Sequence, residues 1–124
     1  MSQKTILYVE DNEFNRKIVK QLLAQTKYQL REATDGETGL RMAHEEAPDL
    51  ILMDVQLPKM SGLEATRRLR ADPQTAAIPI VVITSYALSG DAEKAKDAGA
   101  TAYLAKPYSP RDLLAKIREI VPEE

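Results

Sequence analysis

Short apolar runs alternate with amphipathic segments along the whole chain, and this alternation restricts the folds open to it. The runs predict strands at residues 5–9, 28–33, 49–53, 78–83 and 102–105. The periodic segments predict helices at about residues 13–25, 37–46, 61–70, 91–98 and 109–120. Repeated strand–helix–strand units give a parallel sheet with helices on both faces. We therefore expect an α/β fold of (βα)₅ type, a doubly wound five-stranded sheet in the flavodoxin-like order 2-1-3-4-5.

The first predicted helix carries an apolar stripe that we expect to face the core. Phe14, Ile18 and Leu22 recur at helical spacing, and Val19 and Leu23 lie beside them. This helix therefore looks amphipathic, with its large side chains turned inward.

Capping residues mark the ends of several predicted helices. Asn12 is suited to an N-cap, and Ser61 with Glu64 forms the pattern of a capping box, in which Glu64 reaches back to the cap. Gly99 predicts the end of the fourth helix. Ser109-Pro110 predicts the start of the fifth.

Composition excludes several classes of protein. The chain has 124 residues and no cysteine, so we expect a single domain over 1–124, with no effector domain, no disulfide and no thiolate metal site. The net charge of -2 and the lack of a dense basic block argue against a nucleic-acid partner. The apolar runs are too short to span a membrane, so we expect a cytoplasmic protein.

Polar and charged side chains follow four of the predicted strands. Strand 1 ends in Glu10-Asp11, strand 3 in Asp54, strand 4 in Thr84-Ser85 and strand 5 in Lys106-Pro107. The carboxyl ends of parallel strands share one edge, and ligands bind there at the switch point, here between strands 1 and 3. We therefore expect these groups to converge.

The converging groups suit phosphoryl chemistry. Three carboxylates repel one another, and Mg²⁺ would relieve the repulsion because it takes carboxylates, water and phosphate oxygens. Lys106 is a point charge suited to a phosphoryl oxygen, and Thr84 and Ser85 offer further donors. The Asp54 carboxylate is a possible nucleophile, since aspartate forms acyl phosphates.

Other interpretations fit the same residues less well. Taken singly, Glu10-Asp11 could cap the first helix and Lys106 could lie on the surface. A haloacid-dehalogenase-type phosphatase needs a second acid two residues after the nucleophile, where this chain has Gln56. A P-loop enzyme needs a Gly-rich loop that the sequence lacks. A flavin-binding module would not place acids after strand 1.

Four segments together resemble response-regulator receiver domains, the phosphoacceptor modules of two-component signalling. They are Val9-Glu10-Asp11-Asn12, Leu52-Met53-Asp54-Val55-Gln56-Leu57-Pro58 with Ser61-Gly62, Ile83-Thr84-Ser85 and Ala105-Lys106-Pro107. The resemblance covers nearly the whole chain and is strongest to stand-alone DivK-type single-domain regulators. Receiver domains of hybrid kinases have similar residues in these segments.

The resemblance implies a role for each residue of the acidic edge, the carboxyl edge of the sheet that carries Glu10, Asp11 and Asp54. Asp54 would be phosphorylated from a phosphohistidine on a histidine kinase or histidine phosphotransfer protein. Glu10, Asp11 and Asp54, with the main-chain carbonyl of Gln56, would arrange Mg²⁺. Lys106 would contact a phosphoryl oxygen.

The resemblance also implies a switch. Thr84 would turn toward the phosphoryl group and Tyr103 would rotate inward with it, while Lys106-Pro107 would be a cis peptide. These changes would reshape the surface of the fourth helix, fifth strand and fifth helix for an output protein or a phosphorelay. Such a chain is no enzyme beyond its own phosphorylation and slow dephosphorylation. The resemblance also leaves open a weak homodimer through the same surface.

Two residues are expected to set the lifetime of the phosphorylated state. Gln56 and Tyr86 lie two residues beyond Asp54 and Thr84, where their side chains would flank the path of water. We expect bulky Tyr86 to slow hydrolysis. The single histidine, His44, is expected on an exposed helix face away from the acidic edge.

Overall fold

The computed structural model of this protein describes residues 3–84 and 91–123. Within them, five parallel strands alternate with five helices in the expected (βα)₅ pattern, and the sheet order is β2-β1-β3-β4-β5. The strands are β1 (Thr5–Val9), β2 (Gln29–Ala33), β3 (Leu50–Asp54), β4 (Ile80–Thr84) and β5 (Ala102–Ala105). The helices are α1 (Glu13–Leu23), α2 (Gly36–Glu46), α3 (Gly62–Ala71), α4 (Asp91–Ala98) and α5 (Pro110–Ile120).

Two apolar layers hold the sheet, one on each face. Because strand side chains alternate between faces, every buried central strand contributes to both layers. Ile6, Leu52 and Ile83 pack with α1 and α5 on one face. Leu7 and Met53 pack with α2, α3 and α4 on the other. The central strands β3 and β4 are buried throughout, as their continuous apolar runs predict.

The first helix faces the core differently from the expectation. Val19 and Leu23 are buried, but Phe14 is 70% exposed and Ile18 is 36% exposed, so their predicted inward placement is wrong. At about 100° per residue, Ile18 lies about 100° and Phe14 about 140° around the helix from Val19. The buried face therefore follows Val19 and leaves an apolar pair in solvent.

Side-chain caps start α1, α2, α3 and α5, and those at Asn12, Ser61 and Ser109 are as predicted. Ser61 Oγ accepts from the Glu64 amide at 3.2 Å. The second half of the predicted capping box is not formed, because the Glu64 carboxylate accepts from Arg67 and Arg68 instead. Asn12, Asp35 and Ser109 cap α1, α2 and α5 in the same way as Ser61, and Gly99 ends α4 with a φ of 105°.

Over residues 3–84 and 91–123, no helix combines the length and the apolar character needed to cross a bilayer.

Candidate functional site

Three charged side chains meet at the carboxyl edge of the sheet. Lys106 Nζ lies 2.9 Å from Asp54 Oδ2 and 3.3 Å from Glu10 Oε1. Glu10 and Asp54 are almost wholly buried, at 1% and 2% exposure, whereas Lys106 keeps 19% of its side chain exposed. Of the side chains expected to converge from strands 1, 3 and 5, Glu10, Asp54 and Lys106 therefore do so.

Asp54 is held from two directions. The Gln56 main-chain N–H donates to Asp54 Oδ1 at 3.0 Å, and Lys106 holds the other oxygen. Its position also depends on how closely α3 approaches the end of β3. A Cβ on Gly62, the first residue of α3, would lie 2.0 Å from the main-chain oxygen of Asp54. Only glycine fits there without moving one of the two elements.

The electrostatics of this cluster are unbalanced. Burial, and then the neighbouring Asp54, raises the pKa of Glu10. Burial alone would lower the pKa of Lys106, but hydrogen bonds and charge from Asp54 and Glu10 outweigh it, so this pKa is raised. Two buried carboxylates share one ammonium, which leaves an excess of negative charge.

The other metal-site residues predicted from the sequence lie at the rim. Asp11 is exposed, and so is Gln56, whose main-chain carbonyl is the predicted ligand. Among the described residues, no three acidic or histidine side chains gather into a metal-binding cluster. Mg²⁺ does not need one, because it keeps several waters and can be bound by as few as one or two carboxylates. The buried Glu10–Asp54 pair, with its excess charge, fits such an ion.

Thr84 and Tyr103 lie on the neighbouring strands β4 and β5. Thr84 is buried at the end of β4, and its main-chain oxygen accepts from the Lys106 amide at 2.7 Å. Tyr103 on β5 packs against the layer formed with α2, α3 and α4. Its hydroxyl is buried, and within the described part of the chain it has no hydrogen-bond partner. The Lys106–Pro107 peptide bond is cis, as expected.

The remaining predicted residues are Ser85, Tyr86 and His44. Ser85 and Tyr86 lie outside the described residues. His44 lies on α2 away from the acidic edge, where its Nδ1 is 2.8 Å from Asp72 Oδ2. The half-exposed histidine agrees with the expectation of a surface residue.

Sequence reasoning missed several residues that shape the site. Tyr8 and Asn15 both donate to Glu10, and Gly62 permits the close approach of α3. Ser61 and Gly62 belong to the capping-box pattern and to the family resemblance, but neither pattern predicts the close approach of α3 to Asp54. Tyr8 looked like an ordinary strand aromatic, and its spacing two residues before Glu10 was the one available signal.

Comparisons with known proteins agree with this geometry. The family profile described as response regulator receiver domain matches residues 6–118. The polar-differentiation response regulator DivK of Brucella anthropi is 42% identical over 106 residues, 86% of each protein. A solved structure of the receiver domain of the sensor histidine kinase PA1611 from Pseudomonas aeruginosa has magnesium in its active site cleft. It matches this chain with a TM-score of 0.88 at 35% identity, over 96% of this chain and 98% of the other. Chemotaxis protein CheY4 of Vibrio cholerae has a TM-score of 0.90 at 29% identity, over 97% of this chain and all of the other.

Proposed function

Because the chain belongs to the response regulator receiver domain family of signalling modules, we propose that Asp54 is its phosphoacceptor. The donor would be a phosphohistidine on a histidine kinase or histidine phosphotransfer protein. One observation carries the proposal: a buried carboxylate at the end of β3 has one oxygen held by the Gln56 amide and the other by Lys106.

The groups around Asp54 suit this transfer. One carboxylate oxygen forms the bond to phosphorus while the phosphorus–nitrogen bond of the donor breaks, and the electron pair returns to the imidazole. The Gln56 amide and Lys106 fix the direction of the carboxylate before attack. Lys106 would then contact a phosphoryl oxygen, and its raised pKa keeps it charged. The protein would catalyse only its own phosphorylation and slow dephosphorylation.

Mg²⁺ would be held by Glu10, Asp11 and Asp54 with the main-chain carbonyl of Gln56. It would supply positive charge that neutralises the transferring phosphoryl oxygens. The excess negative charge of the buried pair supports this assignment, and so does the magnesium in the active site cleft of the PA1611 receiver domain.

A protein donor needs a docking surface beside Asp54, and the exposed face of α1 suits it. Phe14 and Ile18 are the exposed large apolar side chains of the described residues. A groove of about 540 Å³ begins at Ile18 and runs to Lys106, Pro107 and Tyr108. Lys106 thus belongs both to the groove and to the site, so a donor seated here would lie next to Asp54.

Output would use the surface of α4, β5 and α5. Thr84 would move toward the phosphoryl group, and Tyr103 would follow. Among residues 3–84 and 91–123 the buried Tyr103 hydroxyl has no hydrogen-bond partner, which supports a mobile role, because a buried polar group without a partner costs free energy that another arrangement can recover. Contact with an output protein, transfer onward in a phosphorelay or weak homodimerisation would read this surface.

Incubation with a small acyl- or amido-phosphate donor tests the function without knowledge of the kinase. With Mg²⁺, the protein should gain one base-labile phosphoryl group, and Asp54→Asn should gain none. No incorporation into the unmodified protein, or equal incorporation into Asp54→Asn, would refute the proposal.

The docking face is tested separately with Phe14→Ala. This variant should accept phosphate from the small donor at the normal rate but from a phosphohistidine protein more slowly. Equal rates from the protein donor would remove α1 from the proposal and leave Asp54 in place.

A further inference from the structure

The Glu10 carboxylate is bound by an unusually complete set of donors. Oε1 accepts from the Tyr8 hydroxyl at 3.2 Å, from Asn15 Nδ2 at 3.3 Å and from Lys106 Nζ at 3.3 Å. Oε2 accepts from the Asn12 main-chain N–H at 3.1 Å. A buried carboxylate needs such partners, but four donors also fix its direction.

Tyr8 differs from the other donors because it comes from inside the apolar core. Its side chain is fully buried between the sheet and the α1–α5 layer, and only its hydroxyl reaches the acidic edge. Burial, followed by the neighbouring Tyr108 and Glu10, strongly raises the pKa of Tyr8. The hydroxyl therefore keeps its proton, and packing leaves the ring little freedom to turn away.

The lysine contact with Glu10 is the one that the proposed reaction would disturb. Lys106 is closer to Asp54 than to Glu10, and it would have to serve a phosphoryl oxygen as well. Asn15 sits on the half-buried rim beside the groove. Unlike Lys106 and Asn15, Tyr8 does not line the groove and would not contact the phosphoryl group. Its hydroxyl is therefore the donor that stays available to Oε1.

We propose that Tyr8 is a positioning residue that holds Glu10 in the direction required to bind Mg²⁺. This inference rests on the proposed function, since Glu10 is a metal ligand only if that function holds. Groups that orient a metal ligand from behind commonly change metal affinity when removed, although they never touch the ion.

Tyr8→Phe removes the hydroxyl and keeps the ring, and Tyr28→Phe is its matched control. Tyr28 is also a buried tyrosine of the same apolar layer, but its hydroxyl donates to the main-chain oxygen of Val121 rather than to an acid. Isothermal titration should show Mg²⁺ binding about tenfold weaker in Tyr8→Phe and unchanged in Tyr28→Phe. Unchanged affinity in Tyr8→Phe, or equal weakening in both, would overturn the inference.

A second readout follows the carboxylate itself without metal. The Asn12 amide proton donates to Glu10 Oε2, so its NMR resonance should shift in Tyr8→Phe as the carboxylate turns, and stay in place in Tyr28→Phe. An unmoved Asn12 resonance would contradict the positioning role. Failure of the unmodified protein to bind Mg²⁺ or accept phosphate would instead refute the proposed function, so the two failures are distinguishable.

Discussion

Replacing Gly62 by alanine should damage the site without touching any charged group. The added Cβ would lie 2.0 Å from the Asp54 main-chain oxygen and 2.7 Å from its carbonyl carbon, where ordinary contacts begin at 3.4 Å. The end of β3 or the start of α3 must therefore move by about 1 Å or more. Alanine would otherwise favour a helix by up to about 1 kcal/mol over glycine, so any loss reflects the clash.

We expect Gly62→Ala to lower the free energy of unfolding by about 2 kcal/mol, a typical cost of overpacking a closed site. With roughly 2.1 cal/mol/K of unfolding entropy per residue over 124 residues, this lowers Tm by about 8 °C. A shift of this size in a reacting group also slows chemistry, by about 100-fold in well-aligned sites. Phosphorylation by a small donor should therefore fall more than stability explains.

Gly36→Ala is the matched control, because Gly36 is the first residue of α2. Its added Cβ would meet only the flexible side chain of Met60, at 3.3 Å. Thermal unfolding and the initial phosphorylation rate should stay near those of the unmodified protein. Equal Tm and equal rates in the two variants would refute the argument that α3 positions Asp54 through this contact.

Three further changes test the fold and the charge balance. Arg70→Met removes a guanidinium that donates to three main-chain carbonyls. Urea unfolding should show a loss of about 2 kcal/mol in the free energy of unfolding. An equal loss in Arg67→Met, at an exposed arginine, would contradict the structural role of these hydrogen bonds. The hydrogen bond from the Thr38 amide lowers the pKa of Asp35 in the folded protein. This bond therefore stabilises the fold above the pKa that Asp35 has in the unfolded chain, and the stabilisation is lost as pH falls through the folded pKa. Asp35→Ala should therefore cost about 1 kcal/mol at pH 7 and less below about pH 4; a constant cost in urea unfolding would oppose this. Asp54→Asn should raise the metal-free Tm at pH 7, since one carboxylate then faces one ammonium; a lower Tm would contradict the repulsion.

The sequence was sufficient for the fold because its local signals agree with its topology. Apolar runs such as Leu50–Met53 are too short for helices and too continuous for half-exposed strands. Caps such as Ser61 and Ser109 mark helix starts through local hydrogen bonds that need no knowledge of the rest of the chain. Right-handed crossovers then limit the possible strand orders, and 2-1-3-4-5 is the simplest doubly wound one.

The rest depended on tertiary contacts that periodicity does not encode. Phe14 and Val19 both belong to the apolar pattern of α1, but only packing decides which of them faces the sheet. The need for glycine at position 62 arises from a carbonyl eight residues earlier in the chain. The convergence of Glu10 and Lys106 was predictable from topology. The contact of the Tyr8 hydroxyl with Glu10 was not, since a spacing of two residues indicates a shared strand face but not that the hydroxyl reaches the carboxylate.

Locating the phosphoryl group tests the central claim most directly. After phosphorylation by a small donor with Mg²⁺, borohydride reduction converts an aspartyl phosphate to homoserine, which peptide mass spectrometry assigns to one position. We predict conversion at Asp54 alone, and none in a sample prepared without donor. Conversion at Asp11 or at another acid, with Asp54 intact, would contradict the account.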